Sequence, residues 1–132
     1  MGFDKYTLIE LLEEGLDSYP NGLMVSTKRG GKWIDTDVKT FRKKVRHLAL
    51  GLYELGVRHG DKVSLHSENS TEWLICDLAI LSIGAASIPI YPTQHGNEIE
   101  YILTNSETKV HIVSTDEMFG LERSCAIFSL VA

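Results

Sequence analysis

Residues 73–83 carry only two polar side chains, Asp77 and Ser82, and at 3.6 residues per turn these two do not share a face. A helix that is apolar nearly all round is a buried one. That requirement constrains both flanks. Upstream, residues 62–67 read as a short strand in which Val63 and Leu65 alternate with Ser64 and His66. Asn69 is placed to open the helix, with Glu72 three residues on to reach back as in a capping box. Downstream, Gly84 supplies a left-handed stop and residues 86–91 give a second strand. Strands joined through a helix run parallel. Residues 61–93 are therefore expected to form one strand–helix–strand unit with its helix inside the molecule.

The rest of the chain supplies material to pack around that unit. Residues 7–16 predict a first helix, with Thr7 and Glu10 as a capping box and Leu8, Leu11, Leu12 and Leu16 as one apolar stripe. Pro20-Asn21-Gly22 is turn chemistry. Residues 23–28 and 32–35 predict a hairpin closed by Gly30-Gly31, a pair that suits a tight primed turn. A long helix follows over residues 38–55, capped by Asp37, with Val38, Phe41, Val45, Leu48, Ala49, Leu52 and Leu55 as its buried face. A third helix after Thr93 begins between His95 and Asn97, with Ile99, Ile102 and Leu103 inward, and residues 109–114 give a further strand. Helix, hairpin, then helix–strand three times over is an α/β layout with a small, mainly parallel sheet of about three strands.

A chain of 132 residues is long enough for one domain with a real core. Its net charge of −5 argues against a nucleic-acid partner, which needs clustered positive charge. No apolar run approaches the roughly 20 residues of a membrane-spanning helix, and residues 1–10 lack the layout of a signal peptide, so a cytoplasmic location is expected. Cys76 lies on the buried helix, far in sequence from Cys125, and reads as a small core residue rather than half of a disulfide.

Taken together, Ser67-Glu68-Asn69, Glu72-Trp73, Asp77-Leu78-Ala79-Ile80-Leu81, Gly84-Ala85 and Pro89-Ile90-Tyr91-Pro92-Thr93 resemble the early part of the AMP-forming acyl-CoA synthetases. The ending Ile90-Tyr91-Pro92-Thr93 is most similar to their long-chain fatty acid branch. The resemblance covers residues 6–114, weakens at His95-Gly96, where that family favours Ser-Pro, and fails after Asp116. Residues 1–116 are accordingly expected to be the N-terminal part of an AMP-binding domain, and residues 117–132 a divergent or truncated tail: a strand, a frame-shifted end or a truncation scar.

The resemblance implies ATP, magnesium and coenzyme A for a full-length enzyme. It also implies a Ser/Thr/Gly-rich phosphate loop with a lysine, a downstream acidic residue for the ribose and a C-terminal catalytic lysine. None of these is among the 132 residues. No residue is therefore assigned a catalytic, cofactor-binding or metal role, and the chain alone is expected to be inactive. The partners left open are a second copy and the remainder of a synthetase. The alternatives are a non-catalytic binding or dimerisation module, and a piece of another adenylate-forming enzyme.

Ligands of open α/β sheets favour the carboxyl ends of strands, here Ser67-Glu68-Asn69, Tyr91-Pro92-Thr93 and Ser114-Thr115. An anion at the N-terminus of the 73–83 helix competes with plain capping by Asn69 and a turn stiffened by Pro92. The interval 66–70 lacks the glycines of a dinucleotide fingerprint. His47, His59, His66, His95 and His111 show no metal-ligand spacing, and His66-x-Glu68 offers an acid–base pair on paper only. Lys39, Arg42, Lys43, Lys44 and Arg46 read as the solvated face of a helix rather than a phosphate site, and Trp33 and Trp73 as packing residues.

Overall fold

Thr7 begins the first helix in the way its spacing predicts. In the computed structural model, which describes residues 6–114 and 128–131, the Thr7 Oγ1 accepts from the Glu10 N–H while the Glu10 carboxylate accepts from the Thr7 N–H at 2.6 Å. Helix α1, Leu8–Ser18, is followed by strands β1, Leu23–Arg29, and β2, Lys32–Asp37, paired antiparallel. Gly30 and Gly31 both have positive φ, 55° and 77°, which is what a type I′ turn demands and what side chains resist. Asp37 then caps α2, Val38–Glu54, its Oδ1 accepting from the Thr40 N–H at 2.8 Å.

Strand β3, Lys62–His66, helix α3, Thr71–Ser82, and strand β4, Ala86–Ile90, form the expected parallel unit, with Gly84 at φ 72° ending α3. Helix α4, Gly96–Ser106, follows, with Glu98 accepting from the His95 N–H at 2.9 Å, and then β5, Val110–Val113. A last strand, β6, Phe128–Val131, lies parallel to β5. The sheet order is β4-β3-β5-β6, so the expected three strands become four, and of the alternatives for the tail its final residues take the strand.

Val63, Leu65, Val110 and Ile112 point to one face, where they pack with Ala49 and Leu52 of α2 and Cys76, Ala79 and Ile80 of α3. Ile90 pairs with His66 and so points to the opposite face, where it meets Ile99 and Leu103 of α4. A smaller cluster of Phe41, Ile75 and Leu78 joins α2 and α3 to the hairpin through Met24 and Val25, and to α1 through Ile9 and Leu12.

The structure corrects several local expectations. Ser70, not Asn69, caps α3: its Oγ accepts from the Trp73 N–H at 3.0 Å, and Glu72 reaches out to Arg29 at 2.6 Å instead of back to the cap. Leu55, expected on the buried face, is exposed because α2 ends at Glu54 and the chain turns away through Gly56. Trp33 is exposed on the outer side of the hairpin, with Lys28 Nζ 5.9 Å from its ring centroid, whereas Trp73 is half-buried against the core. Ser64, His66 and His111, the polar positions that alternate with the apolar ones, are fully buried. The sheet is flanked on that side too, and Ser64 and His111 satisfy each other: Ser64 Oγ lies 2.5 Å from His111 Nδ1, while the His66 and His111 imidazoles stack with centroids 6.3 Å apart.

Candidate functional site

The carboxyl ends of β3 and β5 open into a cleft of about 470 Å³. Its floor is Leu65, Ile112 and Cys76, and its rim is built by Ser67, Glu68, Asn69 and Ser70 from the β3–α3 turn and by Ser114 after β5. The structure thus brings together two of the three strand ends singled out in the sequence. The third stays apart: Tyr91-Pro92-Thr93 does not line the cleft, Tyr91 is exposed, and its N–H donates to Gln94 Oε1 at 3.1 Å. Thr115 and Cys125 lie outside the described residues.

Arg29, Glu72, Trp73 and Cys76 line the cleft although the sequence did not single them out as site components. Arg29, at the end of β1, reaches the cleft because its guanidinium is held on Glu72 at 2.6 Å, and the neighbouring hydroxyls of Thr27 and Thr71 tie the same strand to the start of α3. No spacing rule reveals a contact between residues 43 apart. Trp73, one turn into α3, forms the wall beside it. Burial works to raise the Glu72 carboxyl, but its own backbone N–H and the Arg29 guanidinium outweigh that and hold it below its ordinary value. Burial also pushes the Cys76 thiol up to about 11, helped by the nearby carboxylates of Glu72 and Asp77, so the sulfur at the floor is a neutral thiol and not a nucleophile.

The remaining rim groups are engaged locally. Ser67 Oγ donates to the Glu68 carbonyl at 2.9 Å, and Ser70 is spent on the α3 cap. His66 is fully buried in the sheet while Glu68 is exposed at the rim, so the pair written on paper is not a working acid and base. Of the other histidines, His47, His59 and His95 are exposed on three different elements. Among the described residues no three of His, Cys, Asp and Glu are grouped to hold a metal ion. Chemically, the cleft offers an apolar floor, a rim of hydroxyl, amide and carboxylate groups, and one guanidinium already paired. It can seat or wall a ligand, and among the described residues it presents no activated nucleophile.

Comparison with known proteins agrees with the residues that carried the resemblance. The chain is 40% identical over 86 residues to a long-chain-fatty-acid–CoA ligase of Mycobacterium bovis, a match covering 65% of this chain and 14% of the ligase. Among solved structures, the fatty acid AMP ligase of Legionella pneumophila superposes with a TM-score of 0.82 at 18% identity, over 95% of this chain and 23% of that one. The anthranilate CoA ligase AuaEII, solved with anthranoyl-AMP, gives a TM-score of 0.79 at 27% identity over 90% of this chain and 22% of its own. The matched residues therefore cover about a seventh of the length of such a ligase. Residues 14–129 match the family described as AMP-binding enzyme, running past Asp116 into the tail. The chain belongs to the AMP-binding enzyme family.

Proposed function

We propose that these residues are the N-terminal segment of an ATP-dependent, AMP-forming fatty acyl–CoA ligase. The single observation that carries the reading is the 40% identity over 86 residues to a long-chain-fatty-acid–CoA ligase. In such a reaction a fatty carboxylate attacks the α-phosphate of ATP, giving an acyl-adenylate and pyrophosphate, and the thiol of coenzyme A then displaces AMP. Adenylation requires the carboxylate held in line with the α-phosphate and cations on the departing pyrophosphate. Among the described residues the cleft supplies neither: Arg29 is committed to Glu72, and no lysine lines it. Magnesium, which the family implies, finds no group of three or more His, Cys, Asp or Glu to hold it among the described residues. The contribution of this segment is that of a scaffold, whose α3 and parallel strands brace one wall for ligand-binding groups elsewhere in a full-length ligase.

The test is complementation. The purified chain, mixed with ATP, magnesium, a long-chain fatty acid and coenzyme A, is expected to release pyrophosphate at the background rate. Adding, as a separate chain, the portion of the Mycobacterium bovis ligase that follows the matched region should restore fatty-acid-dependent release. Fatty-acid-dependent release by the 132 residues alone would refute the scaffold reading. Release that no ligase remainder restores, with both chains folded, would refute the ligase reading.

A further inference from the structure

Helix α2 carries more positive charge than its packing uses. Arg42 is occupied by α1, with its guanidinium 2.9 Å from Glu13 and 2.8 Å from Asp17, and Lys44 faces the Glu72 end of α3. Lys39, Lys43, Arg46 and His47 remain, all exposed and at the i, i+4, i+7 and i+8 positions that share one helix face. Among the described residues no ion pair reaches Lys39, Lys43 or Arg46. The same face continues into Leu50 and Tyr53, 58% and 51% exposed, with Glu54 beside its far end. Arg58 closes the line, its guanidinium 3.6 Å from the centroid of the Tyr53 ring. From Lys39 to Tyr53 the stripe is about 20 Å long at the helical rise, and a shallow trough of about 450 Å³ runs beside its basic end.

We propose that this stripe is a docking surface for an anionic lipid bilayer, its cations lying on the headgroups while Leu50 and Tyr53 enter the acyl boundary. The charge is a local exception on a chain of net charge −5, so it orients the molecule as well as attracting it. Lys39, Lys43, Arg46 and His47 all line that trough, but Lys39 and Arg46 stand about 10 Å apart along the helix axis, a spacing that suits a plane of many phosphates rather than a single one. A nucleic-acid backbone would use the cations and leave the exposed leucine without a role. A bilayer interface uses both, because an apolar pair beside a basic run is what interfacial helices present to lipid.

The experiment is co-sedimentation of the chain with vesicles of phosphatidylglycerol and phosphatidylcholine, against vesicles of phosphatidylcholine alone. Binding is expected to the anionic vesicles only, and to weaken with salt. Near an anionic membrane each lysine or arginine contributes about a factor of five. The triple substitution Lys39→Gln, Lys43→Gln, Arg46→Gln should therefore lower the partition coefficient about a hundredfold. Leu50→Ser with Tyr53→Ser should weaken vesicle binding while leaving retention on a soluble polyphosphate unchanged. All five positions are exposed, and circular dichroism of each variant confirms the fold. The proposal is overturned by absent pelleting, by equal pelleting with both vesicle types, or by a triple variant that binds like the parent. It is equally overturned if the serine variant is indistinguishable on vesicles, or if duplex DNA captures the chain more tightly than the vesicles do.

Discussion

Replacing Gly84 by alanine separates two physical costs that one position imposes together. Gly84 sits at φ 72°, and a Cβ built there meets the His59 imidazole, with Cγ at 3.2 Å and Cδ2 closer still. Holding a residue with a Cβ in the left-handed region costs about 1–2 kcal/mol. Pushing the His59 ring off its rotamer to make room adds about 0.5–1.5 kcal/mol. The smaller conformational freedom of alanine in the unfolded chain returns about 0.4–1 kcal/mol. The net is about 2 kcal/mol, a large share of the roughly 5–15 kcal/mol that holds a domain of this size together. Gly30 is the internal control, because its φ is 55° and nothing lies within 4 Å of its Cβ position. Gly30→Ala should therefore cost only the conformational part, about 0.5–1 kcal/mol after the same offset. Urea unfolding followed by tryptophan fluorescence measures both, with the slope m expected to stay unchanged. Adding His59→Ala should recover the steric share from Gly84→Ala and nothing from Gly30→Ala. If Gly84→Ala proves as mild as Gly30→Ala, or if His59→Ala recovers nothing, the packing of the α3–β4 corner described here is wrong.

Other perturbations test other parts of the molecule. Phe41 is fully buried where α2 meets α3, with the hairpin and α1 packed around it, so Phe41→Ala should cost about 3–5 kcal/mol in the same urea assay. Lys109, 2.7 Å from Asp61, and then the Arg58 N–H hold the Asp61 carboxyl below its ordinary value. A depressed folded-state pKa means stability present above the unfolded value of about 3.9 and lost as pH falls through the folded one. Asp61→Asn should therefore flatten the acid limb of the stability profile below about pH 4 while leaving its neutral region parallel to the parent. In a Cys125→Ser background, the Cys76 thiol, raised to about 11, should stay unreactive to a thiol-specific disulfide reagent at pH 8 until denaturant is added.

Where the fold was legible, a local rule and the tertiary need agreed. Thr7 with Glu10, Asp37 as the cap of α2, and Gly30-Gly31 each specify an end or a turn from within a few residues, and all appear as read. The start of α3 was misplaced because Asn69 and Ser70 are both competent caps, and the choice between them came from elsewhere. Arg29, far away on the hairpin, takes the Glu72 carboxylate that a capping box would have used. Alternation set Ser64 and His66 apart from Val63 and Leu65, but it reports polarity, not what covers a face. The pairing of His111 with Ser64 makes that polarity tolerable indoors, and it depends on strand register across 47 residues. The strand ends were found because strand order implies them, yet only two of the three share the cleft, since Tyr91 turns away on its own hydrogen bond to Gln94. The basic stripe of α2 was seen as charge, but which cations are free and which clamp α1 is visible only once α1 is in place.

The sheet order has a consequence for the chain during its synthesis. The inner strand β3 is flanked by β4 on one side and by β5 on the other, and β5 comes about 20 residues later than β4. At ribosomal rates of about 5–20 residues per second, that gap is on the order of 1–4 seconds. For that interval a nascent β3 already zipped to β4 shows one unpaired flank to its surroundings, a template for another chain's strand. The Lys109 amide, which closes onto the Lys62 carbonyl, and the Lys109 side chain, which latches Asp61, stand at the leading end of β5. They are the first contacts able to shut that window, so a pause in translation that leaves β4 outside the ribosome and β5 still within it should be the moment at which a holding chaperone matters most to this protein.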